Sequence, residues 1–306
     1  MHTAVARALR DNGVETMFGV LGDANLRYIT DYIDLAGGRY IGAVDERGAV
    51  MMAEGYARVG NRLGVASITH GPAVTNALTS LTEAARSRTP IVVLTGDTPA
   101  LRGHLQHIDL PGLVAPTGAL YQRVHNASEV FEAVSIAARS AVIARRPVLL
   151  DVPVDLLGAD VKQIGSPARP APAHTTSPGD DALDRARGVI ASARRPLVLA
   201  GRGAVLAQAR KELLLLADML GAPVATTLLA HDFFRGEPFN LGVLGTVAAP
   251  GDRNPRRLRR CDRVRCQPQP IHRRRRVGLR RQDGRPDRHR PPRLRLIHRG
   301  RCAGAR

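Results

Sequence analysis

Glu46 stands where a strand-like run, residues 39–44, gives way to a segment of helical spacing, residues 49–59. In open α/β sheets the carboxyl end of a strand is where ligands bind. The neighbours Ala49, Val50 and Met52 are apolar. Such surroundings favour a raised carboxyl pKa and a part in proton transfer. At this level the alternative is an acid placed in a first helical turn by the macrodipole. A second motif, Gly201-Arg202-Gly203-Ala204, follows a strand-like run and has half the spacing of a dinucleotide loop. A lone Gly-x-Gly is weak evidence, and a tight structural turn explains it better than a cofactor site does.

These residues need a scaffold, and the hydrophobic pattern supplies one. Short β-rich runs at 17–21, 40–44, 64–69, 91–95 and 148–152 alternate with helical patterns at 4–12, 49–59, 75–86 and 129–144. That alternation predicts an α/β fold with a doubly wound parallel sheet over residues 1–163. Residues 165–179 hold four prolines and few large apolar side chains, so 164–181 reads as a linker. A smaller Rossmann-like unit follows over 182–262, with strands at 195–201 and 222–227 and a helix at 207–220. Two strands and one helix cannot cover both faces of a sheet.

Charge divides the chain in two. Residues 253–306 hold 21 Arg, no Lys, three acids and no aromatic residue, whereas the first 252 residues are neutral. All three cysteines, Cys261, Cys266 and Cys302, lie in that tail, which excludes a disulfide framework or thiolate metal site before it. No apolar run reaches the ~18 residues that span a bilayer. The N-terminus lacks the pattern of a secretory signal, so a cytoplasmic location is expected. The tail, 263–306, reads as disordered. As a selected feature it would be a basic arm binding nucleic-acid phosphates without sequence preference.

Several motifs occur in register. Phe18-Gly19-Val20-Leu21-Gly22 comes first, then the Glu46 helix and Thr69-His70-Gly71-Pro72-Ala73-Val74-Thr75-Asn76. Thr89-Pro90-Ile91-Val92-Val93-Leu94-Thr95-Gly96-Asp97 and Pro147-Val148-Leu149-Leu150-Asp151-Val152-Pro153 follow, and Ala222-Pro223-Val224-Ala225-Thr226-Thr227 closes the series. Together they resemble the thiamine-diphosphate-dependent enzymes of the acetolactate synthase and benzoylformate decarboxylase type. The resemblance implies a pyrimidine-binding domain followed by part of a middle domain. It also implies that the cofactor supplies the hard chemistry while the protein tunes it. Glu46 would hydrogen-bond a ring nitrogen of the cofactor's aminopyrimidine, acting in both binding and catalysis. Gly22, Pro72 and Asn76 match positions around that pyrimidine, although a turn and a helix cap also account for Pro72 and Asn76. Gln106, in Leu105-Gln106-His107, resembles a glutamine facing the substrate. His70 stands where synthases have Ser or Thr and benzoylformate decarboxylase has a catalytic histidine, which implies proton transfer at the reacting carbon.

The expected chemistry is carbon–carbon bond making or breaking on a 2-oxo acid, by carboligation or decarboxylation. In the family a third domain holds the diphosphate through Mg²⁺, marked by Gly-Asp-Gly and a downstream Asn, and these residues contain no such combination. No metal ligand is therefore expected here, only a half-site that is inactive alone. The family assembles as homodimers or tetramers, and a non-catalytic partnership with a full-length paralogue is the alternative. Arg263-Val264-Arg265-Cys266-Gln267 permits a shifted reading of Val-Phe-Gly-Ala-Ser, which fits the family's middle domain. A frameshift near residue 262 is thus expected to produce the Arg-rich tail.

Overall fold

The computed structural model describes residues 1–97, 104–161 and 177–244. Residues 98–103, 162–176 and 245–306 lie outside them, and with them most of the expected linker 164–181 and the whole expected tail 263–306. In the first unit six strands are β1 (Thr16–Gly19), β2 (Arg39–Gly42), β3 (Gly64–Ser67), β4 (Ile91–Thr95), β5 (Leu120–Arg123) and β6 (Val148–Asp151). They form one sheet in the order β2-β1-β3-β4-β6-β5, and every neighbouring pair is parallel. The helices are α1 (His2–Asp11), α2 (Leu26–Asp34), α3 (Glu46–Gly60), α4 (Pro72–Arg86), α5 (Leu110–Val114) and α6 (Val130–Ala144).

The sheet is covered on both sides, which is why its central strands β1, β3, β4 and β6 are buried at every position. In β4, Val92 and Leu94 join one core with α1, α2 and α6, while Ile91 and Val93 join the other with α3, α4 and α5. The period-two alternation of strand side chains produces this division. The five expected strands fall within the sheet. The sixth, β5, was not anticipated: it is a half-buried edge strand whose Leu120-Tyr121-Gln122-Arg123 shows no apolar run.

The second unit is richer than its hydrophobic pattern suggested. It holds α7 (Asp180–Ala191), β7 (Val198–Ala200), α8 (Arg202–Leu206), α9 (Arg210–Leu220), β8 (Val224–Thr226) and β9 (Asn240–Val243), with a parallel sheet in the order β7-β8-β9. The helix expected over 207–220 begins at Arg210 instead, because Gln208, in a left-handed conformation (φ 53°), separates it from α8. Gly201 caps α8 at φ −113°, so Gly201-Arg202-Gly203 turns a strand into a one-turn helix. Among the described residues no helix is long and apolar enough to cross a membrane.

Candidate functional site

The strand order places the chemistry. From β1 the chain goes to β2 on one side of the sheet and then to β3 on the other. The carboxyl ends of β1 and β3 therefore border the crevice where such sheets take ligands. The loop after β1 carries Gly22, Asp23 and Asn25, and the loop after β3 carries Thr69, His70 and Gly71. They touch closely: a Cβ on Gly22 would lie 2.6 Å from Thr69 Cβ. Buried Asn25 fastens the first loop, accepting from Gly22 N (2.8 Å) and donating to Val20 O (2.9 Å) and Ser67 Oγ (3.0 Å).

Glu46 is the first residue of α3. Asp45 caps that helix, its Oδ1 accepting from Gly48 N at 2.6 Å. The carboxylate is half-buried at the carboxyl end of β2, and Asn76 Nδ2 of α4 donates to its Oε2 at 2.7 Å. Two residues that the resemblance assigned to one pyrimidine are thus in direct contact. Exposed Pro72 opens α4 at its first position, where its missing N–H costs nothing. Helices α3 and α4 are tied by Ser80 Oγ donating to Arg47 O (3.0 Å), and by buried Glu54, which meets Arg58 (2.7 Å) and Ser87 (2.7 Å).

His70 and Gln106 form a second pair, with His70 Nε2 2.6 Å from Gln106 Oε1. The imidazole is buried, and its Nδ1 has no hydrogen-bond partner. Asp23 Oδ1 lies 3.6 Å from that nitrogen, and the His104 ring stands edge-on at 5.8 Å. Gly71 makes the approach possible. Its φ is +65°, and a Cβ there would sit 2.4 Å from Gln106 O. Asp23, Asn25 and His104 were missed by the sequence reading. The only signal was polar residues beside a glycine at a strand end.

Farther along the same edge, Asp151 at the end of β6 is fully buried. Its Oδ2 accepts from Tyr121 Oη (2.7 Å) and Arg123 Nη1 (2.7 Å), and Arg123 also pairs with Asp97. Burial lifts the Asp151 carboxyl from the usual 3.8 to about 6, against the opposing pull of Tyr121 and Arg123. A cavity of about 580 Å³ beside this cluster is lined by Asp97, His107, Tyr121, Arg123 and His125 among others. A second cavity, about 380 Å³, lies in the smaller unit between α9 and the segment 237–239, where the lining is mainly apolar.

Residues 1–130 match the family described as thiamine pyrophosphate enzyme, N-terminal TPP binding domain. Residues 183–264 match the thiamine pyrophosphate enzyme central domain. The chain belongs to the thiamine pyrophosphate enzyme family. The thiamine pyrophosphate enzymes it resembles include the acetolactate synthase large subunit of Corynebacterium glutamicum, 31% identical over 261 residues, which span 81% of this chain and 41% of that protein. The acetolactate synthase large subunit IlvG of Mycobacterium tuberculosis is 35% identical over 233 residues, 74% of this chain and 42% of that protein. A sulfoacetaldehyde acetyltransferase of Rhodobacter capsulatus is 31% identical over 248 residues, 79% of this chain and 41% of that protein. The chain thus spans about two fifths of these thiamine pyrophosphate enzymes. Among its described residues, no group of three or more His, Cys, Asp or Glu side chains is placed to hold a metal ion. Those residues offer no donor set for Mg²⁺.

Proposed function

We propose that residues 1–163 supply the pyrimidine side of a thiamine diphosphate site that makes or breaks a carbon–carbon bond in a 2-oxo acid. The observation that carries this reading is the Glu46–Asn76 pair at the carboxyl edge of the sheet. Asn76 occupies Oε2, and among the described residues Oε1 accepts no hydrogen bond. A carboxylate with one oxygen held and the other open fits a ring nitrogen that shares a proton. When bound, the cofactor supplies the electron sink that the side chains lack. Asn76 orients Glu46, the Asp45 cap fixes the helix start that carries it, and Glu46 holds the proton at the ring nitrogen. Gly22, Pro72 and Gly71 shape the loops around that position.

The names of the relatives favour carboligation of the acetolactate synthase type or acetyl transfer. Buried His70 favours the second reading, decarboxylation or lyase chemistry with His70 as the proton donor. On this proposal residues 164–181 are a linker and 182–262 contribute part of a middle domain. The diphosphate side comes from elsewhere: another segment or a full-length paralogue. The 306 residues alone are then inactive. The end of the central-domain match at residue 264 supports a frameshift as the origin of the Arg-rich tail, and the coding DNA tests it. A nucleic-acid role for that tail predicts salt-dependent DNA retention that disappears when residues 253–306 are deleted.

Calorimetry and complementation test the main reading. The chain should bind thiamine diphosphate weakly or not at all by itself. Mixed with the carboxyl-terminal portion of the Corynebacterium glutamicum relative, it should turn over pyruvate, and Glu46→Gln should lower kcat by roughly 10²–10⁴-fold. Turnover indifferent to Glu46→Gln would overturn the assignment.

A further inference from the structure

Asn25 stands at the N-cap of α2, where an Asn side chain usually accepts a hydrogen bond from the first turn of its helix. Here it makes no such bond. The carboxamide turns back instead and is fully buried beneath the loop after β1. Two backbone groups fix its orientation. Gly22 N can only donate, so it meets Oδ1 (2.8 Å), and Val20 O can only accept, so it meets Nδ2 (2.9 Å). The second Nδ2 hydrogen then goes to Ser67 Oγ, 3.0 Å away at the end of β3. One side chain thus ties the loop after β1 both to itself and to the neighbouring strand.

Glycines bring the two strands close enough for that tie. A Cβ on Gly19 would lie 2.4 Å from Ser67 O, and one on Gly22 would lie 2.6 Å from Thr69 Cβ. The loop after β3 is itself held to β4, where Thr95 Oγ1 donates to Thr69 O at 2.7 Å. The two loops also meet where Thr69 Oγ1 donates to Asp23 Oδ1 (2.9 Å), but that contact is exposed to water and the Asn25–Ser67 bond is buried. A buried hydrogen bond is stronger, and leaving one end of it unpaired is costly. We infer that Asn25 is a positioning residue for the cofactor crevice: through Ser67 it holds Gly22 against Thr69 and so sets the spacing of the loops after β1 and β3. Tyr28 Oη also meets Ser67 Oγ (2.8 Å), but it comes from α2 and its hydroxyl makes no bond to either loop, so it serves as the control.

The effect on the cofactor rests on the proposed function, but the loop spacing is read without cofactor or turnover. In the full chain an NOE is expected between Gly22 Hα and the Thr69 methyl group. Asn25→Ala and Ser67→Ala should each abolish it and Tyr28→Phe should keep it, with amide protection in β4 unchanged in all three. Ser67→Ala removes the tie alone and leaves both bonds of Asn25 to its own loop, so it decides the matter if Asn25→Ala fails to fold. In the complementation assay, both alanine variants should raise the thiamine diphosphate concentration for half-maximal turnover on the order of tenfold, with kcat at saturation unchanged. A merely structural loss would shrink the active fraction, lowering kcat and leaving that concentration alone. Tyr28→Phe should change neither. An NOE that survives Ser67→Ala in a folded protein overturns the inference. So does an NOE lost equally in Tyr28→Phe, or one lost without any change in the half-maximal concentration. If the unaltered chain gives no turnover, the proposed function fails and the NOE still decides the loop spacing.

Discussion

Asp151 shows what the carboxyl edge costs at the level of one residue. Its side chain has left water completely, Oδ1 meets no partner, and Oδ2 is shared by Tyr121 and Arg123. Because burial raises its pKa from 3.8 to about 6, the folded protein holds this proton more tightly than the unfolded chain. The resulting stability is fully present below the unfolded value and is lost as pH rises through the folded one. Asp151→Asn does not titrate, so urea melts of the two proteins should diverge between about pH 4 and 6.5. The unaltered protein should lose on the order of 2–3 kcal/mol relative to the variant across that window. Equal pH slopes would show that Tyr121 and Arg123 compensate the charge fully. Glu46 and Asn76 were each legible from residue type and motif order, whereas the Asp97–Arg123–Asp151 cluster was not. Its members are 26 and 28 residues apart, and only the pairing of β4, β6 and β5 brings them together.

Among the elements, α3 carries the most consequence for the site. Its boundary was readable within a few residues because strand-like spacing changes to helical spacing at Asp45-Glu46. The structure adds that Asp45, not Glu46, closes the helix end, through the 2.6 Å contact with Gly48 N. Removing such a cap costs about 0.5–2 kcal/mol. Asp45→Ala should therefore lower stability by that amount in urea melts. It should also speed amide exchange in the first turn of α3 while leaving β4 unchanged. If Glu46 depends on this cap for its position, the complemented activity should fall as well. Unchanged exchange at residues 46–49 would place the start of α3 under the control of its packing on α4. The edge strand β5 and the break between α8 and α9 escaped the periodicity for opposite reasons. The first has too few apolar residues, and in the second Ala204-Val205-Leu206-Ala207 runs up to Gln208 with no Gly or Pro to mark the left-handed turn there.

At the scale of the molecule the two units differ in how much they bury. The first has a core on each face of a six-stranded sheet, each built from more than a dozen buried side chains. The second has six, and it leaves Val189, Leu215 and Met219 at 72%, 63% and 77% exposure. Local opening follows buried contact, so the smaller unit should open first. Hydrogen exchange in mild urea should show β7 and β8 losing protection before β4 and β6. Simultaneous loss would mean that the units unfold as one. The exposed apolar residues also predict concentration-dependent association of this chain, which light scattering would detect.

The sequence alone determined the α/β class, five strands of the first sheet and the family resemblance. Those features rest on local alternation of side-chain polarity and on motifs whose residues are contiguous. Tertiary structure decided which loops meet. Glu46 reaches Asn76, and His70 reaches Gln106, because parallel strands return every loop to the same edge of the sheet. No local pattern encodes that return, since it depends on strand order. The order β2-β1-β3-β4-β6-β5 is selected by burying both faces of the sheet together.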